Sequence, residues 1–223
     1  MDRKLFVQAL VKFFLGVVLV GILIFLPAGT LNFFNGQLLM ALLFIPMFMA
    51  GIILMILNPG LLRKRLDARE SEEEQKAVVA MSGLIFVSAF VLAGLNYRFS
   101  WFIMPRWSVY TGATVFLFSY VLYAEVLREN TYLSRTIEVQ QDQKIIDTGM
   151  YGIVRHPMYA VTILLFLSMP VVLGSPISFL IMLFYIPVIA KRIKNEEEVL
   201  KNGLQGYDEY MTKVRYRVIP FIW

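Results

Sequence analysis

Apolar residues in this chain gather into six long runs separated by short polar connections. They fall at about 5–26, 38–57, 77–95, 108–127, 157–173 and 176–191. A helix that crosses a bilayer needs about 20 apolar residues, within a range of about 17–25. The first four runs meet that length and the last two are short. Only Gly174-Ser175-Pro176 separates the last two, which predicts a tight helical hairpin that either crosses steeply or re-enters. Downstream, Leu200, Leu204, Tyr207, Met211 and Val214 recur at spacings of four and three. That is the period of an amphipathic helix, with a break expected near Gly203 and Gly206. The pattern predicts an all-α polytopic membrane protein of about five to six transmembrane helices with a C-terminal helical hairpin. Residues 1–127 would hold four membrane helices and a connector at 58–76. Residues 128–223 would hold a polar loop, the hairpin and the amphipathic C-terminal segment.

Composition agrees. The chain is 58% hydrophobic, against roughly 45–50% in ordinary soluble domains. The absence of cysteine excludes disulfides, thiolate catalysis and zinc–cysteine sites, and a single histidine excludes a multi-histidine metal centre. No metal site is expected. The first run, Leu5 to Leu26, is long enough to span and is not clearly followed by a small-residue cleavage site. It reads as a membrane helix rather than a removable signal.

The net charge of +5 could suggest nucleic acid, but its distribution does not. Basic residues cluster at the N-terminus (Arg3, Lys4, Lys12), at 63–76 (Arg63, Lys64, Arg65, Arg69, Lys76), at 128–155 (Arg128, Arg135, Lys144, Arg155) and from Lys191 to Arg217. The opposite side keeps Arg98 and Arg106. By the positive-inside rule both termini are cytoplasmic, and no nucleic-acid partner is expected. Charge alone does not separate a crossing final hairpin from a re-entrant one. The block at 58–76, with Glu72-Glu73-Glu74 beside its basic residues, reads as a solvated helical connector.

Three places carry residues fit for chemistry. Gln140 to Lys144 form a polar strip, Ile145-Ile146 follow, and Asp147-Thr148-Gly149 reads as a turn. Such a strip could hold a flat amphipathic ligand, or be an ordinary loop. Next, Tyr151, Arg155, His156 and Tyr159 crowd into nine residues at the start of the fifth run. Pro157 suits the first turn of a helix, so His156 falls at its N-terminus, where free N–H groups and the dipole favour an anion. The same residues could be an interfacial anchoring belt. Finally, Arg192 and Glu196 stand four apart on one helix face. They form either an i,i+4 ion pair or a site in which the guanidinium forks onto a carboxylate and the glutamate accepts an ammonium. The C-terminal Arg215-Tyr216-Arg217 and Trp223 read as interfacial anchors.

Taken together, Gly-x-Tyr-x-x-x-Arg-His-Pro-x-Tyr at 149–159, Arg-x-x-x-Glu at 192–196, Tyr-x-x-Tyr at 207–210 and Arg-Tyr-Arg-x-Ile-Pro at 215–220 resemble the isoprenylcysteine carboxyl methyltransferase family. The resemblance covers roughly residues 120–220. It implies a membrane enzyme that uses S-adenosyl-L-methionine without a Rossmann fold, and the chain has no G-x-G-x-x-G motif. Residues 128–223 would then be the methyltransferase core, with a cytosolic cofactor pocket. Carried over by motif position, Gln140, Gln143, Lys144, Ile145, Ile146, Tyr151, His156, Pro157, Met158, Tyr159 and Glu196 would bind the cofactor. Arg192 would bind the substrate carboxylate and serve as the catalytic residue.

The expected reaction is carboxyl O-methylation of an isoprenylcysteine or other lipid-like substrate, free or on a protein, at the cytosolic face. The membrane would be the plasma membrane in a prokaryote and the endoplasmic reticulum in a eukaryote. Membrane lipids are the other expected partners; oligomeric state is left open. Three alternatives stay open: a phospholipid amine N-methyltransferase, an NADPH-dependent reductase of similar C-terminal motif, and a non-catalytic membrane protein.

Overall fold

A computed structural model describes residues 3–66, 73–133 and 139–223. Arg69, Glu72 and Arg135, named above, lie outside the described residues. The order of elements is α1 (Arg3–Ala28), α2 (Phe34–Leu57), α3 (Pro59–Leu66), α4 (Glu73–Phe99), α5 (Arg106–Glu129), a 3-10 turn (Gly149–Gly152), α6 (Pro157–Val172), α7 (Pro176–Leu183), α8 (Tyr185–Gly203) and α9 (Tyr207–Lys213). No strand occurs among the described residues. The protein is an all-α polytopic membrane protein; among the described residues five helices are long and apolar enough to cross a bilayer: α1, α2, α4, α5 and the α7–α8 rod.

The helix boundaries follow from local chemistry. Three helices start by the same device, a capping residue followed by proline at the first helical position. Asn58 precedes Pro59 and its side chain accepts from the Leu61 amide at 3.0 Å. His156 precedes Pro157. Ser175 precedes Pro176 and accepts from the Ser178 amide. Gly29, at φ 71°, closes α1 in the left-handed conformation that ends many helices.

The hairpin expected around Gly174-Ser175-Pro176 is the turn from α6 to α7. With 16 residues, α6 is about 24 Å long at 1.5 Å per residue, short of the ~30 Å hydrocarbon layer. The run at 176–191 does not end in the apolar layer as a separate short helix. After a break at Phe184 it continues through α8 to Gly203, carrying its register into the polar region. Pro187 sits in the first turn of α8, where a missing N–H is tolerated.

Two glycines set the closest helix approaches. A Cβ on Gly94 of α4 would lie 2.5 Å from the Ile24 carbonyl of α1, and one on Gly112 of α5 would lie 2.9 Å from Val171 of α6. Small residues at such points let backbones pack closely in a membrane bundle. The central core joins Ile24, Leu39, Phe90, Phe116 and Val172. A second cluster, with Ile85, Met182, Ile189, Ile193 and Val218, ties α4, α7 and α8 to the C-terminal tail.

The connector at 58–76 departs from the sequence expectation. Its described part, α3, is not a detached solvated segment, because Leu61 and Leu62 are buried. Lys64 donates to the Gln140 side chain, and Arg65 donates to the Tyr123 hydroxyl. Its charges hold the polar loop and α5 rather than facing only water.

Candidate functional site

At one end of the bundle, the loop before the 3-10 turn, the start of α6, the polar half of α8 and α9 surround a cleft. Gln143, Lys144, Ile145, Ile146, Tyr151, His156, Met158, Tyr159, Arg192 and Glu196 all line it. The candidate residues drawn from three separate stretches of sequence therefore meet in one place. Two do not reach the lining. Pro157 is buried in the first turn of α6. The Gln140 amide donates to the Tyr132 carbonyl and accepts from Lys64, so it braces the loop from behind.

Tyr159 links the two charged residues of α8. Its hydroxyl donates to Glu196 Oε2 at 2.5 Å and accepts from Arg192 Nε at 3.0 Å. A phenol from α6 thus touches both members of the i,i+4 pair Arg192 and Glu196. Ile145, Ile146, Leu200 and Leu204 supply apolar walls.

Beneath the cleft lies a group that the sequence reading missed. The Glu197 carboxylate is 4% exposed and meets Arg155 at 2.8 Å, Arg217 at 2.8 Å and His156 at 3.3 Å. Arg155 also donates to the carbonyls of Val214 and Arg215, each at 2.8 Å. The main chain adds two more ties: the Arg155 amide to the Tyr216 carbonyl and the His156 amide to the Arg217 carbonyl. The segment at 214–218 is therefore strapped across the Arg-His-Pro motif. It is not only an interfacial anchor, as its composition suggested. Glu197 could have been found from periodicity: the buried residues of α8 are Tyr185, Ile189, Ile193 and Glu197, a strict four-residue stripe.

Tyr207 and Tyr210 were read as a motif pair, with Tyr207 on a helix face, and neither was assigned to the site, yet both line the cleft. The Tyr210 hydroxyl donates to the Tyr151 carbonyl at 2.7 Å. Burial pushes the ionisation of the Tyr151, Tyr207 and Tyr210 phenols upward, and the nearby carboxylates of Glu197 and Glu196 add to this at Tyr207. These hydroxyls stay protonated at neutral pH. Among the described residues, the hydroxyls of Tyr151 and Tyr207 are buried without a hydrogen-bond partner, a costly state that a ligand in the cleft would relieve. No group of three or more potential metal ligands occurs among the described residues.

The fold and the cleft define a class: a polytopic α-helical membrane protein with a polar, tyrosine-rich site built by its C-terminal helices. The sequence model of the isoprenylcysteine carboxyl methyltransferase family matches residues 111–202, from α5 through most of α8. Over that stretch the chain is similar to this family, which bears out the resemblance drawn from the motifs at 149–159 and 192–196. A Delta(14)-sterol reductase of Mus musculus is 26% identical over 91 residues, which make up 40% of this chain and 22% of the reductase. The chain thus matches about a fifth of that relative's length.

Proposed function

We propose that this protein is an S-adenosyl-L-methionine-dependent methyltransferase acting on a carboxylate carried by an isoprenylcysteine or another lipid-like acceptor at the cytosolic membrane face. The observation that carries the reading is the convergence of the loop at 143–146, the Arg-His-Pro-x-Tyr motif and Arg192/Glu196 on one cleft. The donor set suits the cofactor. Two unpaired buried phenols can meet polar groups of a nucleoside, apolar side chains can flank a flat base, and the Glu196 carboxylate can accept an ammonium.

When bound, S-adenosylmethionine would supply a methyl group on sulfonium sulfur, already electrophilic enough for direct transfer. A carboxylate acceptor is deprotonated at neutral pH, so no side chain need remove a proton. The chemistry supplied would be exchange of the sulfur–methyl bond for an oxygen–methyl bond, which would give a neutral ester and a thioether. Arg192, held by Tyr159, places the carboxylate; orientation of this kind is worth up to about 7–11 kcal/mol. The apolar walls exclude water from two charged reactants. With both termini cytoplasmic, as the basic residues indicate, the cleft opens to the cytosol, and a lipidic acceptor enters from the bilayer. The test is transfer of labelled methyl from the cofactor to a prenylcysteine in lipid. Base-labile label that is lost in Arg192→Ala, with cofactor binding retained, supports the reading; label that resists base points to an amine acceptor.

The identity to the sterol reductase favours one second reading, an NADPH-dependent reductase built on the same C-terminal motif. Thermal stabilisation by NADPH and not by S-adenosylhomocysteine would select it.

A further inference from the structure

The carboxylate beneath the cleft has a chemical consequence for the cleft itself. Glu197 Oε1 lies 2.8 Å from Arg155 Nε, 2.8 Å from Arg155 Nη2 and 3.3 Å from His156 Nε2. Its Oε2 takes Arg217 Nε at 2.8 Å. A carboxylate ringed by two guanidinium groups has no proton to offer and can only accept. An unprotonated Nε2 would set a lone pair against an oxygen lone pair, so in the neutral ring Nε2 carries the hydrogen. The partner of one ring nitrogen fixes the role of the other.

The remaining groups of His156 narrow the choice. Its amide donates to the Arg217 carbonyl, and its carbonyl accepts from the amides of Tyr159 and Ala160. Among the described residues, the buried side-chain atoms without a partner are the Tyr151 and Tyr207 hydroxyls. Nδ1 is not one of them and takes no hydrogen bond from the described residues, so it is the ring's open edge. His156 lines the cleft.

We infer that Glu197 is a positioning residue that holds His156 in the Nε2–H tautomer and leaves Nδ1 as a hydrogen-bond acceptor in the cleft, matched to a donor group on the ligand. This reverses the expectation from helix polarity alone. The start of α6 favours an anion, whereas an acceptor nitrogen there repels a carboxylate or phosphate and selects an amino or hydroxyl group, such as those of a nucleoside. The identity of that ligand rests on the function proposed above; the tautomer does not.

His156 is the chain's single histidine, so a protein labelled with nitrogen-15 histidine gives one imidazole with nothing to assign. Spectra are recorded on the full chain in lipid nanodiscs without ligand. Wild type is expected to show the Nε2–H pattern. In Glu197→Ala the acceptor facing Nε2 is gone; the ring is expected to become a mixture of the two tautomers, and S-adenosylhomocysteine affinity to fall about tenfold or more. Arg217→Gln, which cuts the tail's ion pair but keeps the Glu197–His156 contact, is expected to retain the Nε2–H pattern. An Nδ1–H spectrum in wild type would overturn the inference even if no variant folds, as would an unmixed Nε2–H pattern in folded Glu197→Ala. Failure of wild type to bind S-adenosylhomocysteine, with the Nε2–H spectrum intact, would overturn the ligand and leave the positioning role standing.

Discussion

The first two helices and the last seventy residues are built on opposite principles. In α1 the exposed residues include Val11, Phe14, Leu15, Val18, Leu19 and Ile22, a surface that makes sense only against lipid. Stability there comes from backbone bonds kept inside the helix and from a few close approaches such as Gly94 against Ile24. In the C-terminal region the buried set includes Arg155, His156 and Glu197, and the chain crosses itself so that 214–218 rests on 155–156. One region tolerates almost any apolar residue; the other depends on individual atoms. The contrast shows where this chain concentrates specificity, and it separates the part that dissolves in the membrane from the part that builds the polar cleft.

Three substitutions probe that contrast, in falling order of effect. Glu197→Ala would leave two guanidinium groups and the histidine around an empty position. Removing one partner of a buried ion pair costs about 3–5 kcal/mol, so a large drop in melting temperature in detergent is expected, with 214–218 becoming sensitive to protease. Gly94→Leu would push α1 away from α4; overpacking of this kind costs about 1–3 kcal/mol, and cofactor binding should survive because the cleft lies elsewhere. Leu19→Ala, on a half-exposed lipid-facing position, should change stability by no more than about 0.5 kcal/mol. A Leu19 effect as large as that of Glu197 would erase the distinction between the regions.

A smaller effect belongs to pH. The hydrogen bond from Lys213 at 2.6 Å, and its charge, hold the exposed Asp147 carboxyl below the usual aspartate range. A lowered native pKa means that the unfolded chain binds the proton more readily. The contribution is therefore complete above the ordinary aspartate value of ~3.9 and is lost as pH falls through the lowered native value. Asp147→Asn should slightly flatten the acid limb of a melting-temperature profile and leave the neutral range unchanged.

Much of this architecture could be read from the sequence because lipid imposes simple patterns. Four runs of spanning length became α1, α2, α4 and α5, and Gly174-Ser175-Pro176 became the hairpin turn, since Pro and Ser act through local geometry. The break near Gly206 was legible for the same reason, with a φ of 84° there. The candidate site was legible in its motif residues. The groups that hold them in place were not, because they act across long sequence separations. Glu197 falls on the buried four-residue stripe of α8, but its partner Arg155 lies 42 residues away, so the pairing shows only in the fold. Arg65 and Lys64 looked like connector charges, and their partners, Tyr123 and Gln140, lie 58 and 76 residues away.

Calorimetric titration of the solubilised protein with S-adenosylhomocysteine, wild type against Glu196→Ala, tests the central claim most directly. Binding in the micromolar range that is lost in the variant, while its fold is preserved, is the predicted result. Absence of binding by folded wild type, or full binding by the variant, would contradict the assignment of the cofactor to this cleft.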